Sequence, residues 1–490
     1  MRALIHILAI TVCLTLAAGV CLPATDQPGS FHQGLTLYEQ HDLAGALGAF
    51  QDALKAQPDD SVVLAWAGTV ALELGRLPEA IQYLSQAAKA DPKSKVVQNN
   101  LGNAYAAAAQ LDKAEAAYRA ALALDDTYFD AHYNLANLKV QQNDFSAAFN
   151  EYSRALKAKP DDLEAHLNFG YALHKRGLLD KAIREYKAVV ALQPDNADNW
   201  MSLGALQLQY KQDADAVVSY QKVLALVPNK PEALLGVGVA LYNQGRYPEA
   251  LPNVQAAATA LPTSFVAQYN LGLLQSALKN YTAAEDAYNK ALALQPDNAD
   301  CLNNLGWLQF EQEDYTEAIQ TFKRAMTANP DLEIPYLNLA RALSKAGQQN
   351  DALQQWQAAA RRFPESEQAH LGLADAFYED KDRDSAAREY LQVIRLNPKN
   401  AAAQNNVGLI YLDRDDLGSA GKYFENAIAA EPNFAPALNN LGVVFQLQGD
   451  KTKAGDYYKR ALQADPNYEP ARQNLDALQP TPATGRATLG

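Results

Sequence analysis

The sequence predicts an all-α solenoid, and three columns of residues predict it. Alanine stands at thirteen positions spaced 34 residues apart, from Ala46 to Ala454 without a slip. Twelve residues before each alanine lies a glycine or alanine, as at Gly34, Gly68, Gly102, Ala136 and onward to Gly442. Four residues after it the side chain is aromatic in eleven copies, with Leu84 and Val254 as the departures. A fixed period of this length is one supersecondary unit copied along the chain, not a domain with one core.

Each period reads as two helices. Small residues at the first column and at alanine let the pair approach closely, and the aromatic fills the space between that pair and the next. Proline follows twelve residues after the alanine in every copy except at Asp126. It stops the second helix and can open the next. Acidic residues in turns such as Pro160-Asp161-Asp162 and Pro194-Asp195-Asn196 are placed to cap the following helix and need no acid–base role.

These columns resemble the tetratricopeptide repeat family, a 34-residue helix–turn–helix with a small residue at position 8, alanine at 20, an aromatic near 24 and proline at 32. The stretch AHLNFGYALHKRGLLDKAIREYKAVVALQP, residues 165–194, is nearly a consensus copy. The resemblance implies a right-handed α–α superhelical solenoid of about 13 repeats. Counted from Gln27, the array runs over 27–468, with a capping helix at 469–478 and a disordered tail at 479–490. In the capping helix Asp476 stands where glycine or alanine is otherwise required, as suits a final helix with one wet face. In the family the first helices line the concave side of the superhelix.

The other end differs from the repeats. Met1 and Arg2 precede an apolar run from Leu4 to Leu22, closing on the small residues Ala17, Ala18 and Gly19. Residues 1–24 therefore read as a signal peptide, with a retained N-terminal anchor (residues 4–22) and lipidation at Cys21 as the competing readings. Export to a periplasm or cell envelope is the expected localisation if the source is bacterial.

Composition and missing motifs exclude several classes. With Arg2 removed, 41 basic residues face 56 acidic ones. An acidic extended surface suits neither nucleic acid nor an anionic membrane face. Beyond Cys13 and Cys21 only Cys301 remains, so no disulfide framework or cysteine-based metal site is expected. No phosphate-binding loop, nucleophile elbow or zinc-protease motif occurs. No catalytic residue, cofactor or metal site is expected, and His132, His166 and His370, all at position 4, read as partly buried packing residues.

One feature exceeds packing. Position 6 is asparagine at Asn100, Asn134, Asn168, Asn270, Asn304, Asn338, Asn406, Asn440 and Asn474, with breaks at Ser202, Gly236 and Gly372. Positions 2, 5, 6, 9, 12 and 13 share one helical face. Asparagine is about half a kcal/mol worse than alanine inside a helix, so its recurrence needs a cause. An amide both donates and accepts, and a ladder of amides can grip an extended peptide backbone whatever its sequence. The pattern is similar to the asparagine ladder of the O-linked N-acetylglucosamine transferase repeat superhelix. The bland alternative is that asparagine is merely frequent before the consensus Leu-Gly. Aromatics flank the ladder at Tyr133, Tyr242, Tyr269, Phe310 and Tyr378, with Tyr171 and Trp307, and they serve either as anchors or as seam packing. Pro252 is expected to kink the second helix of repeat 7.

The expected function is a non-catalytic scaffold binding extended segments of partner proteins, in cell-envelope assembly, secretion or polysaccharide export. Two alternatives stand beside it: a targeting partner for a separate glycosyltransferase-like enzyme, and a self-assembling structural rod. If residues 1–24 direct export and are then removed, protein from the native host has an intact mass lacking them. A mass that includes Met1 or Arg2 contradicts cleavage, and added diacylglycerol mass assigns the lipidated form.

Overall fold

The computed structural model describes residues 29–478, all of whose regular structure is helical. Residues 1–28 and 479–490, which carry the signal, anchor, lipidation and tail expectations, lie outside the described residues. The chain divides into two units, Met1–Ala260 and Leu261–Gly490. Each is a solenoid of helix pairs in which a helix packs on the next in sequence.

A full repeat has a first helix of 13 residues and a second of 14, as in Leu163–Lys175 and Leu179–Leu192 of repeat 5. The link between them is three residues, short enough to force an antiparallel pair. It closes with Gly177 N–H on the His174 carbonyl at 2.9 Å and Leu178 N–H on the Leu173 carbonyl at 3.0 Å. The middle residue needs positive φ, which glycine supplies at Gly177 (φ 71°), whereas Lys211, Lys279, Glu313 and Lys381 adopt it at 59–65°. The predicted caps form. Asp162 accepts from Ala165 N–H, and Asn196 from the N–H groups of Asp198 and Asn199. Glu469–Leu478 is a final single helix.

The alanine column is the centre of each pair. Its thirteen members are at most 1 % exposed. Beside it, the position-24 ring lies in the notch left by position 8. A methyl added to Gly102 would stand 2.5 Å from the Tyr118 ring, and one on Gly272 would stand 2.5 Å from Tyr288. Where the ring is missing the notch is still filled: Leu84 occupies it against Gly68, and Val254 against Gly238.

Pro252 does not interrupt its helix. Tyr247–Ala260 runs for the same 14 residues as the other second helices. The N–H that proline lacks would have met the carbonyl of Pro248, so the helix runs its full length with one backbone bond missing.

Candidate functional site

The ladder asparagines are bonded to the repeat before them. Asn134 Nδ2 donates to Asn99 Oδ1 at 3.1 Å, and Asn168 Nδ2 to the Tyr133 hydroxyl at 2.6 Å. Asn304 donates to the Tyr269 hydroxyl at 2.8 Å and Asn338 to Asn303 Oδ1 at 3.0 Å. Asn440 and Asn474 donate to Asn405 and Asn439, both at 2.9 Å. In each case position 6 reaches back 35 residues to position 5. The helix pairing brings those columns together, so the side chains tie successive first helices to one another.

Doublets of asparagine at positions 5 and 6 extend the ties into chains. In the second unit Asn474 donates to Asn439, Asn439 to Asn440 at 3.1 Å, Asn440 to Asn405, and Asn405 to Asn406 at 3.2 Å. Asn406 bonds the Tyr390 phenol, which donates to Asp375 Oδ1 at 2.6 Å. The bonds between repeats run toward the N-terminus, the bonds within each doublet join neighbours, and the chain ends on a carboxylate, an arrangement in which each bond polarises the next. The first unit holds a shorter chain, from Asn134 through Asn99 and Asn100 to Thr69. Asn270 instead donates to its own helix, to the Val266 carbonyl at 2.8 Å.

The rings at position 24 join this network. The Tyr118 hydroxyl donates to Asn103 Oδ1 at 2.8 Å and that of Tyr152 to Asn137 Oδ1. The same rings explain two of the ladder's breaks. A methyl on Gly236 would lie 2.5 Å from the Tyr220 ring, and one on Gly372 2.5 Å from the Trp356 ring. At these repeats the preceding ring covers position 6 and leaves no room for an amide. Ser202, the remaining break, turns back to the Asp198 carbonyl at 2.9 Å.

The aromatic candidates fall into different surroundings. Tyr133 is 3 % exposed, stacks on Phe129 at 5.8 Å and meets Tyr152 edge-on, which is seam packing. Tyr269 stacks on Phe265 at 5.5 Å while accepting from Asn304. Phe310 stacks on Trp307 at 5.1 Å, Tyr242 packs on Tyr247 at 5.2 Å, and the Arg383 guanidinium covers Tyr378 at 3.6 Å. These four are half-buried and keep part of their surface open.

The position-4 histidines have a bonding role that sequence reading missed. His132, His166 and His370 place Nδ1 2.6–2.7 Å from Glu151, Glu185 and Glu389. Their Nε2 atoms face the carbonyls of Asp126, Pro160 and Pro364, six residues back. Trp200 Nε1 makes the same bond to the Pro194 carbonyl at 2.8 Å. In these repeats position 4 thus satisfies the carbonyl that the loop before the first helix leaves over. At His132 and His166 the two acceptors favour the doubly protonated ring. The Glu185 bond raises the His166 pKa; at His132 burial pulls down, but Glu151 and the Asp126 carbonyl outweigh it and the net is upward. The signal was a recurring donor at position 4. Cys301 is buried, which pushes its thiol up to about 12. Among the described residues no group of His, Cys, Asp and Glu is placed to hold a metal, and no helix is long and apolar enough to cross a membrane.

A family model described as tetratricopeptide repeat matches residues 31–95, 133–197, 214–265, 337–382 and 379–426, more than half of the chain. Further models of the same description match 97–128, 263–331, 309–355 and 435–468. No curated protein sequence matches the chain. Among solved structures, the APC/C hetero-tetramer Cut9-Hcn1 is 14% identical over 91% of this chain and 95% of that one, with a TM-score of 0.38. Yeast Tom70 is 18% identical over 85% of this chain and 94% of its own, at 0.39. YrrB, titled a TPR protein with an unusual peptide-binding site, is 18% identical over 39% of this chain and 98% of its own, at 0.34. Likeness at this level says nothing about function.

Two outcomes test the site's geometry. Gly372→Asn supplies the missing rung by sequence but drives a side chain into the Trp356 ring, and is expected to cost about 1–3 kcal/mol by overpacking; unchanged stability would show that the ring does not set the break. For His166 the folded pKa lies above the ordinary 6.5. Its bonds therefore stabilise fully below about pH 6.5 and weaken as pH rises through the folded value. The gap in hydrogen-exchange protection of Leu163–Lys175 between wild type and His166→Gln should be widest in mild acid and narrow as pH rises through the folded value. A gap that widens with pH would reverse the assignment. On the family models' coverage and the repeated helix pairs together, this chain belongs to the tetratricopeptide repeat family.

Proposed function

We propose that the chain is a non-catalytic scaffold that holds extended segments of partner proteins along its first-helix face. One observation carries this reading. The cross-repeat bond takes one N–H of the amide and fixes its plane, and at Asn134, Asn304 and Asn474 the second N–H and the carbonyl stay available. Among the described residues nothing donates to the carbonyl oxygens of Asn134, Asn304 and Asn474. Rungs already oriented lose little rotamer freedom when a peptide backbone arrives, so each bond made to it counts more toward affinity. In this reading the face is the concave groove of the superhelix, similar in use to the ladder of the O-linked N-acetylglucosamine transferase repeats. Residues 1–24 carry the chain out of the cytoplasm, and its setting is cell-envelope assembly, secretion or polysaccharide export, by fold-level analogy.

The amides' double duty changes the mutational signature. Replacing Asn270, Asn304 and Asn338 together by alanine removes three backbone grips of roughly 1 kcal/mol each, so affinity for a partner recovered by crosslinking should fall about a hundredfold. Helix propensity alone would let the melting temperature hold or rise. The lost bonds to Tyr269 and Asn303 predict a modest fall instead, about 0.5–1.5 kcal/mol per cross-repeat bond. Loss of stability with unchanged affinity would leave the amides purely structural and move the partner site elsewhere.

A further inference from the structure

Position 2 of three successive first helices in the second unit presents an apolar, an acidic and an apolar side chain. Val266, Asp300 and Ile334 stand in the first turns of Phe265–Ala277, Ala299–Glu311 and Glu333–Lys345. Val266 is 55 % and Ile334 53 % exposed, and Asp300 is exposed between them in the repeat order. One turn further on each helix is a ladder rung: Asn270, Asn304 and Asn338. The Asn270 amide bonds the Val266 carbonyl, so rung and position-2 residue occupy adjoining ground.

Of the four other position-2 carboxylates, Asp130, Glu164, Asp198 and Glu232, the two aspartates meet a cation from their own chain. Asp198 takes Lys230 at 3.0 Å, 32 residues on, and Asp130 lies 3.9 Å from Lys159, 29 residues on. At those two offsets from Asp300 the chain has Leu332 and Asn329. Among the described residues no cation pairs with Asp300, and Arg341 on the next repeat is committed to Asn338 Oδ1 at 3.2 Å. A first-turn carboxylate favours the helix N-terminus by itself, but that role does not call for branched apolar side chains left in water on either side.

We propose that this row reads a partner segment whose side chains run apolar, basic, apolar at every third residue, in a polyproline II conformation. The proposal rests on the reading that the ladder holds a peptide backbone. Packed helices stand about 8–10 Å apart. A polyproline II chain turns once in three residues and rises about 9 Å in doing so, which brings residues i, i+3 and i+6 to one face. A β-strand repeats its face every two residues, about 6.7 Å, and falls out of step with the helices. Polyproline II also makes no internal hydrogen bonds, so its backbone groups are open to the asparagine amides. The central basic residue supplies the cation that Asp300 lacks, and the flanking side chains cover Val266 and Ile334.

The test uses the full chain and a fluorescein-labelled peptide, Leu-Pro-Pro-Arg-Pro-Pro-Leu, with versions carrying Gln or Glu in place of Arg, read by anisotropy. The Arg peptide should bind in preference to the Glu peptide by about tenfold. Asp300→Asn should remove most of that preference, and Asp300→Lys should invert it. Ile334→Ser should weaken all three peptides alike. Equal binding of the Arg and Gln peptides, or a preference untouched by Asp300→Lys, overturns the pattern. In that case weakening by Asn304→Ala would leave the groove reading standing. Binding that is insensitive to Asn304→Ala and Asn338→Ala removes the groove reading too, and absence of binding by every peptide overturns both.

Discussion

The position-24 side chain lying in the position-8 notch is the contact on which the rest depends. It sets how close the two helices of a repeat come, and its far side sets where the next first helix lies. Tyr220 shows both contacts, with Gly204 on its own repeat and Gly236 on the next one against the same ring. A buried aromatic removes about 150–250 Å² from water, more than any polar tie between repeats can match. Position 5 of one first helix and position 6 of the following one come within hydrogen-bond reach because these rings hold the helices there. The ladder is a consequence of the ring packing, and it stops where the ring intrudes.

Solenoid stability is a sum of repeat terms and nearest-neighbour terms. Cross-repeat amide bonds belong to the second kind. They do little to fold a helix pair and much to fix how one first helix sits on another. An unpartnered amide in a half-buried position is costly, so a rung cannot be silent: it bonds the neighbouring repeat, its own helix, or a ligand. Binding and superhelical rigidity therefore share the same side chains. A partner seated on the ladder should stiffen the array, and an array weakened at its rungs should bind less well.

Much of this was legible in the sequence. The 34-residue period gave the helix pairs, and turn residues such as Asp162 and Asn196 gave their caps. Helical spacing placed Asn100 through Asn474 on a common face. What escaped was whatever depends on the register between helices about 35 residues apart. The Asn99–Asn100 and Asn439–Asn440 doublets were visible, but their relay exists only once two first helices are side by side. Gly236 and Gly372 looked like lapses in a functional column; their cause is the ring of the preceding repeat. His166 looked like packing because its two partners, Glu185 and the Pro160 carbonyl, lie on a different helix and in a loop. Pro252 is a separate case: its helix keeps the full fourteen residues around it.

The central claim is that one amide group both ties the repeats and offers itself to a peptide. Side-chain NH₂ resonances of asparagine, observed in protein labelled with ¹⁵N at asparagine alone, address the two roles separately. The account predicts that Asn134, Asn304, Asn338, Asn440 and Asn474 each show one slowly exchanging and one fast amide proton in the free chain, the slow one being bonded to the preceding repeat. On adding a bound peptide, the fast proton of the engaged rungs should shift and become protected while the slow one stays. Two fast protons at every rung in the free chain, or resonances indifferent to a peptide that demonstrably binds, would contradict it.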